Sequence, residues 1–202
     1  TMVEPYVRLE DDRFASSHDT NEESDVLLTV TPICHQQDIE NITKFVLKKV
    51  GSILEEKLHY KERDVRSFLQ VLSELCCNVN DHSGDQGYAA VQTYTQKDGR
   101  KFLIIGVADL GVGIKASLSE KYDVEQWSHF DAIRYSIGKE FTRFRNESRG
   151  LGLYMIQRII HEYDGRLNIR SGDTRLYLRK DLTFCKSGFF PGTQISISLS
   201  EK

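Results

Sequence analysis

Cysteine is scarce here and poorly spaced for chemistry. The chain has 202 residues and four cysteines, at positions 34, 76, 77 and 185. No two of them form a CxxC pair, and Cys76-Cys77 falls inside a helical pattern. A disulfide scaffold and a zinc site are therefore disfavoured, and a reduced, cytoplasmic setting is expected. Long apolar runs are missing too. The longest, around Phe102 to Ala108, is far below the ~20 residues of a spanning helix. The first residues carry no charged-then-apolar leader pattern. No membrane contact is expected. Nor is one sign of charge in large excess: 27 Lys and Arg stand against 30 Asp and Glu, a net charge of −3. That disfavours direct nucleic-acid binding.

The common catalytic and nucleotide signatures are also absent. There is no GxxxxGK[ST], so no P-loop. Gly111-Val112-Gly113 and Gly150-Leu151-Gly152 both stop short of GxGxxG, because residues 116 and 155 are Ala and Met. There is no GxSxG and no HExxH; His161-Glu162 lacks the second histidine.

What is present reads as one ordinary globular domain, with 39% hydrophobic and 28% charged residues. Residues 1–25 hold eight acids and two bases, a net −6 that leaves +3 on the remainder. This stretch is polar and aperiodic and is expected to be a flexible tail. Residues 26–202 are expected to form the domain. VLLTVT at 26–31 reads as a strand. Ile39, Ile42, Val46, Val50 and Ile53 share a helical spacing over 38–58. Val65, Phe68, Leu69, Leu72, Leu75, Cys76 and Val79 give a strong amphipathic helix over 62–81. Strands at 88–95 and 101–108 flank a Lys97–Arg100 hairpin turn. Residues 114–149 are mixed, with short helices expected. A helix follows from Leu151 to about Tyr163, closed by Gly165. Three further strands are expected at about 166–171, 174–180 and 193–199. This order predicts an α/β two-layer sandwich, a mixed, largely antiparallel sheet with helices on one face.

Four elements offer chemistry. On the second helix, Glu74, Asn78, Asp81 and His82 form one polar stripe beside the apolar face. A glutamate there can accept a proton, and an asparagine amide oxygen can ligate Mg²⁺ beside phosphates. A solvated helix face is the plain alternative. Asp109-Leu110-Gly111-Val112-Gly113-Ile114 follows the apolar strand. Its aspartate can accept an exocyclic amine, and its glycines let a ring approach the backbone; a tight turn is the plain alternative. Arg149-Gly150-Leu151-Gly152-Leu153 opens a helix whose bare N–H groups favour phosphate, with Arg149 and Lys115 adding charge. A flexible loop meeting a helix would look the same. Gly192-Thr193 enters the last strand and alone says nothing.

In this order, ELxxNxxDHS, DxGxGI, RGLGL and GT, the chain resembles the Bergerat-fold ATPases. These include gyrase, histidine-kinase catalytic domains and anti-sigma-factor serine/threonine kinases. The resemblance spans about residues 26–200 and implies ATP and Mg²⁺ as cofactors. It implies that Asn78 holds Mg²⁺ and that Glu74 is the general base. Asp109 would take the adenine amino group, supported through water by Thr193. Gly111 and Gly113 would line the base pocket, and Gly150, Leu151, Gly152 and Leu153 would present backbone to the phosphates. His82 would lie on the phosphate side, and residues 114–149 would form a lid. The strand, helix, then Glu-x-x-x-Asn helix layout looks most like the anti-sigma-factor kinases, which act on or bind a separate regulatory protein. The early histidines His18, His35 and His59 lack the acceptor-helix signature of a sensor kinase. A histidine-kinase-like or hydrolytic ATPase, a nucleotide-gated binding module and a homodimer all stay open.

Overall fold

The computed structural model describes residues 24–82, 86–137 and 151–201. Five strands form one sheet in the order β1-β2-β3-β5-β4. They are β1 (Ser24–Ile33), β2 (Gly87–Thr95), β3 (Lys101–Asp109), β4 (Arg166–Leu178) and β5 (Leu182–Ser200). Every pairing is antiparallel. The helices are α1 (Gln36–Ser52), α2 (Glu62–His82), α3 (Gly113–Ser119), α4 (His129–Ile137) and α5 (Leu151–Glu162), with one π turn over Ile53–Lys57 after α1. The two-layer expectation therefore holds, and among the described residues the sheet is antiparallel rather than mixed.

Alternation decides which face is covered. Leu103, Ile105 and Val107 of β3 are buried while Phe102, Ile104 and Ala108 are half-buried. The buried set joins Ile42, Val46 and Val50 of α1, Phe68, Leu72 and Leu75 of α2, and Ile156, Ile159 and Ile160 of α5 in one cluster. These are the positions that the 3.6-residue period singles out. Each such side chain contributes roughly 1.5–3 kcal/mol by leaving water.

The three strands expected after Gly165 are two. β4 runs through residues 166–178, and its register with β5 shifts at Ser171 and Gly172. Gly172 has φ +61°, so the glycine makes a bulge and the chain stays in the sheet. The stretch before Gly192 is strand as well, paired with the far half of β4.

The described part of the expected lid, residues 114–137, is packed. Ala132, Ile133 and Ile137 of α4 are buried, and Phe130 meets Phe184 of β5 with ring centroids 4.4 Å apart. Trp127 stands edge-on to Tyr135 at 4.7 Å. Residues 138–149, including Gly138, Phe141 and Phe144, lie outside the described residues, as do residues 1–23 of the expected tail.

α2 and α5 run antiparallel, and their far ends are stapled. Asp64, 1% exposed, accepts the Tyr163 hydroxyl at 2.6 Å and faces Arg158 and Arg63 at 3.5 and 3.6 Å. Tyr163 stacks on Tyr60 at 3.8 Å, and the Tyr60 hydroxyl donates to the Ser200 carbonyl at 2.9 Å.

Candidate functional site

The opposite end of the sheet, where β3 stops, brings together Asp109, Gly111, Gly113 and Thr193 of the expected residues. Asp109 is 7% exposed. Its Oδ1 accepts the N–H of Gly111 at 2.9 Å and the N–H of Thr193 at 3.3 Å. A short carboxylate at a strand end bonds its own backbone two residues on and so starts the turn. Gly192 packs against it; a Cβ there would collide with the Asp109 backbone and carboxylate. Thr193 thus meets Asp109 directly through its backbone N–H.

Gly113 is needed by the chain itself. Its φ is +75°, and a Cβ would come within 2.8 Å of the Pro191 carbonyl and 2.9 Å of Ser171 Oγ. Ser171 is the residue that sequence reasoning missed. Its buried hydroxyl donates to the Gly192 carbonyl at 2.9 Å and accepts the Ile114 N–H at 3.0 Å. One side chain therefore ties the 109–114 loop to the middle of β5. The only signal in the sequence was a serine beside a glycine in mid-strand.

The helices approach this end from the covered face. Gly87, opposite Asp109 in the β2–β3 register, lacks a side chain exactly where Val79 of α2 presses on it, and a Cβ there would strike the Val79 methyl groups. That contact brings the last turns of α2 to the Asp109 end. Asn78 is exposed and Glu74, one turn earlier, is half-buried. His82 ends α2, and its side chain lies outside the described residues. Asp64 contacts both Arg158 and Tyr163 at the other end of the helix pair. From Tyr163 back to its first residue, α5 runs about twelve residues, roughly 18 Å, away from that contact. Leu151, Gly152 and Leu153 form its first turn, where backbone N–H groups have no partner within the helix. Arg149 and Gly150 lie outside the described residues.

Cys76 on α2 is held out of thiol chemistry. Burial, with Cys77 adding to it, pushes the Cys76 thiol up to about 12, so it stays protonated in the core. Among the described residues no group of three His, Cys, Asp or Glu side chains could hold a metal. A cavity of about 490 Å³ lies nearby but on the β4 side; it shares Gly113 and Ser171 with this end, and Glu74, Asn78 and Asp109 do not line it.

The family model for histidine kinase-, DNA gyrase B-, and HSP90-like ATPases matches residues 63–201. The chain belongs to this ATPase family. Comparison with curated proteins gives no match. The match opens in the first turn of α2 and closes after β5. It therefore takes in Glu74, Asn78, Asp109, the 111–113 loop, the start of α5 and Thr193. The ATPase domain is an ATP-binding domain of this type; β1 and α1 precede the matched span. Among the described residues no helix is long and apolar enough to cross a membrane.

Proposed function

We propose that the ATPase domain binds Mg-ATP at the Asp109 end of the sheet and transfers the terminal phosphoryl group to a serine or threonine of a regulatory partner protein. The observation that supports this most is the Gly87–Val79 contact, which lays the last turns of α2 against the strand residue paired with Asp109. Asp109 accepts the adenine amino group, while Thr193 and Gly192 keep the carboxylate in place. The first turn of α5 presents N–H groups and the positive end of its dipole to the phosphates. Arg149 and Gly150, which precede it, and His82 belong to the same proposed phosphate side.

Magnesium fits this donor set in one way. The Asn78 amide oxygen is a hard neutral ligand on an exposed turn, so it can complete a shell made mostly of phosphate oxygens and water. When bound, the ion neutralises charge on the transferring group. Glu74 accepts the proton of the attacking hydroxyl. The two early histidines that the structure describes do not sit like the acceptor of a sensor kinase. His35 caps α1 and His59 sits in a loop with φ +58°; neither projects from a helix face. His18 lies outside the described residues.

Incubation with γ-labelled ATP and extract from the source cell tests the reading. Acid-stable label on a second protein is expected. Acid-labile label would mean a histidine acceptor, free phosphate alone would mean hydrolysis, and neither would leave a nucleotide-gated binding module. Glu74→Ala should lower transfer by roughly 10²–10⁴-fold while leaving Mg-ATP affinity near the parent value. Full transfer by that variant would remove Glu74 from the chemistry.

A further inference from the structure

The cavity on the β4 side has a chemistry unlike that of the Asp109 end. Its volume of about 490 Å³ is in the range of small-ligand pockets. The strand order puts β5 between Asp109 on β3 and Gly172 on β4, so the two sites lie on opposite sides of the Gly192 backbone and the Gly113 turn. Phe189 and Tyr122 supply aromatic surface to the lining, and Phe189 is 68% exposed. His129 stands edge-on to Phe189, ring centroids 5.9 Å apart. Its imidazole lies against Gly172, where any Cβ would collide with the ring. Asp173 fixes the ring's direction through Nδ1 at 2.8 Å. The bulge glycine and the next residue thus build one wall of the cavity around an oriented imidazole.

The lining charge is negative. Asp123 and Glu125 are exposed there and outnumber Lys115 among the described lining residues. A polyphosphate is disfavoured by that balance. A protonated nitrogen on a planar ring meets carboxylates and finds aromatic surface beside them. We propose that this cavity binds a small organic cation with a planar aromatic body, independently of the nucleotide.

Benzamidine is a suitable probe, with benzoate as the same ring carrying the opposite charge. Trp127, the one tryptophan of the chain, lies between Glu125 and His129 and reports on that wall. Titration of the full chain with benzamidine should change Trp127 emission saturably, and saturating Mg-ATP should leave the curve in place. Benzoate should bind at least about tenfold more weakly. The double variant Asp123→Asn with Glu125→Gln should cost benzamidine a similar factor. Asparagine keeps the acceptor that Asp123 Oδ1 offers to the Glu125 N–H, so the turn survives. Ala116→Phe, on an exposed face of α3 that lines the cavity, should block binding with an unchanged circular dichroism spectrum. Equal affinity for benzoate, a response without saturation, or displacement of benzamidine by ATP would each overturn the proposal. Failure to bind ATP with benzamidine binding intact would instead count against the nucleotide reading.

Discussion

Two buried aspartates stand at opposite ends of one sheet, and they are held in opposite ways. Asp64 is closed in by side chains: a tyrosine hydroxyl at 2.6 Å and two guanidinium groups at 3.5 and 3.6 Å. It sits in the first turn of α2, where the helix dipole favours a negative charge. Asp109 is set by backbone N–H groups from Gly111 and Thr193, with glycines at 111, 113 and 192 around it. Bulky partners fill the first end and consolidate it. Glycines and main chain leave the second end low in side-chain bulk, as close approach of a ligand requires. The same residue type serves as a staple at one end and, in the proposed function, as a recognition group at the other.

The contrast can be broken by substitution. Asp64→Ala strands the Tyr163 hydroxyl and the facing arginines. It should cost about 3 kcal/mol of unfolding free energy, read by urea denaturation, with ATP affinity unchanged. A stable variant with weakened ATP binding would reverse the assignment of the two ends.

Asp109→Asn should do the opposite. Its amide oxygen can still accept the Gly111 and Thr193 N–H groups, so the fold stays, but an adenine amine loses its charged acceptor. Calorimetry should show about tenfold weaker ATP binding, ~1.5 kcal/mol. The parent should discriminate against GTP, whose six-position oxygen would face the carboxylate. Equal ATP and GTP affinity would end the adenine assignment.

Ser171→Ala sharpens the comparison, because the serine ties the Asp109 loop without belonging to either end's charged set. Loss of its two hydrogen bonds should lower stability by about 1 kcal/mol and weaken ATP binding, with hydrogen exchange rising at the Ile114 amide. Unchanged exchange there would mean that the loop holds itself.

The smallest effect is one of pH. Burial first, and then the bond to Asp64, pushes Tyr163 up to about 12 from its ordinary value of 10. The folded form therefore keeps its proton while the unfolded chain ionises. The stability tied to this group is complete below pH 10 and is lost as pH rises from 10 towards 12. Tyr163→Phe should show a shallower alkaline decline than the parent in denaturation series at pH 9 to 11. An identical decline would detach Tyr163 from the effect.

The elements that bury an amphipathic face were legible in the sequence. Val65 to Val79 declared α2 and Leu103 to Val107 declared the covered side of β3, because burial imposes the period directly. The β4–β5 hairpin was not, since Gly172 carries the same local signature in a bulge as in a turn. Only pairing with the far half of β5 distinguishes them. At the site, motif order singled out Asp109, Gly113 and Gly192-Thr193 in advance. Ser171 stayed hidden because its work is done across the chain, by one hydroxyl that no spacing rule reaches. The polar stripe of α2 was visible, but the contact that lays the end of α2 against the strand beside Asp109 depends on an absent side chain at Gly87.

The Ser171 hydroxyl also has a bearing on the order of assembly. It joins a backbone N–H 57 residues earlier to a carbonyl 21 residues later. The first link spans 57 residues, and contacts so far apart along the chain are slow to close. The loop around Asp109 is therefore among the last parts of the chain to take its final shape. A nucleotide that recognises only that finished loop has little to hold in the folding transition state. It should leave the rate of folding alone and slow unfolding instead, acting as a brake on escape from the native state.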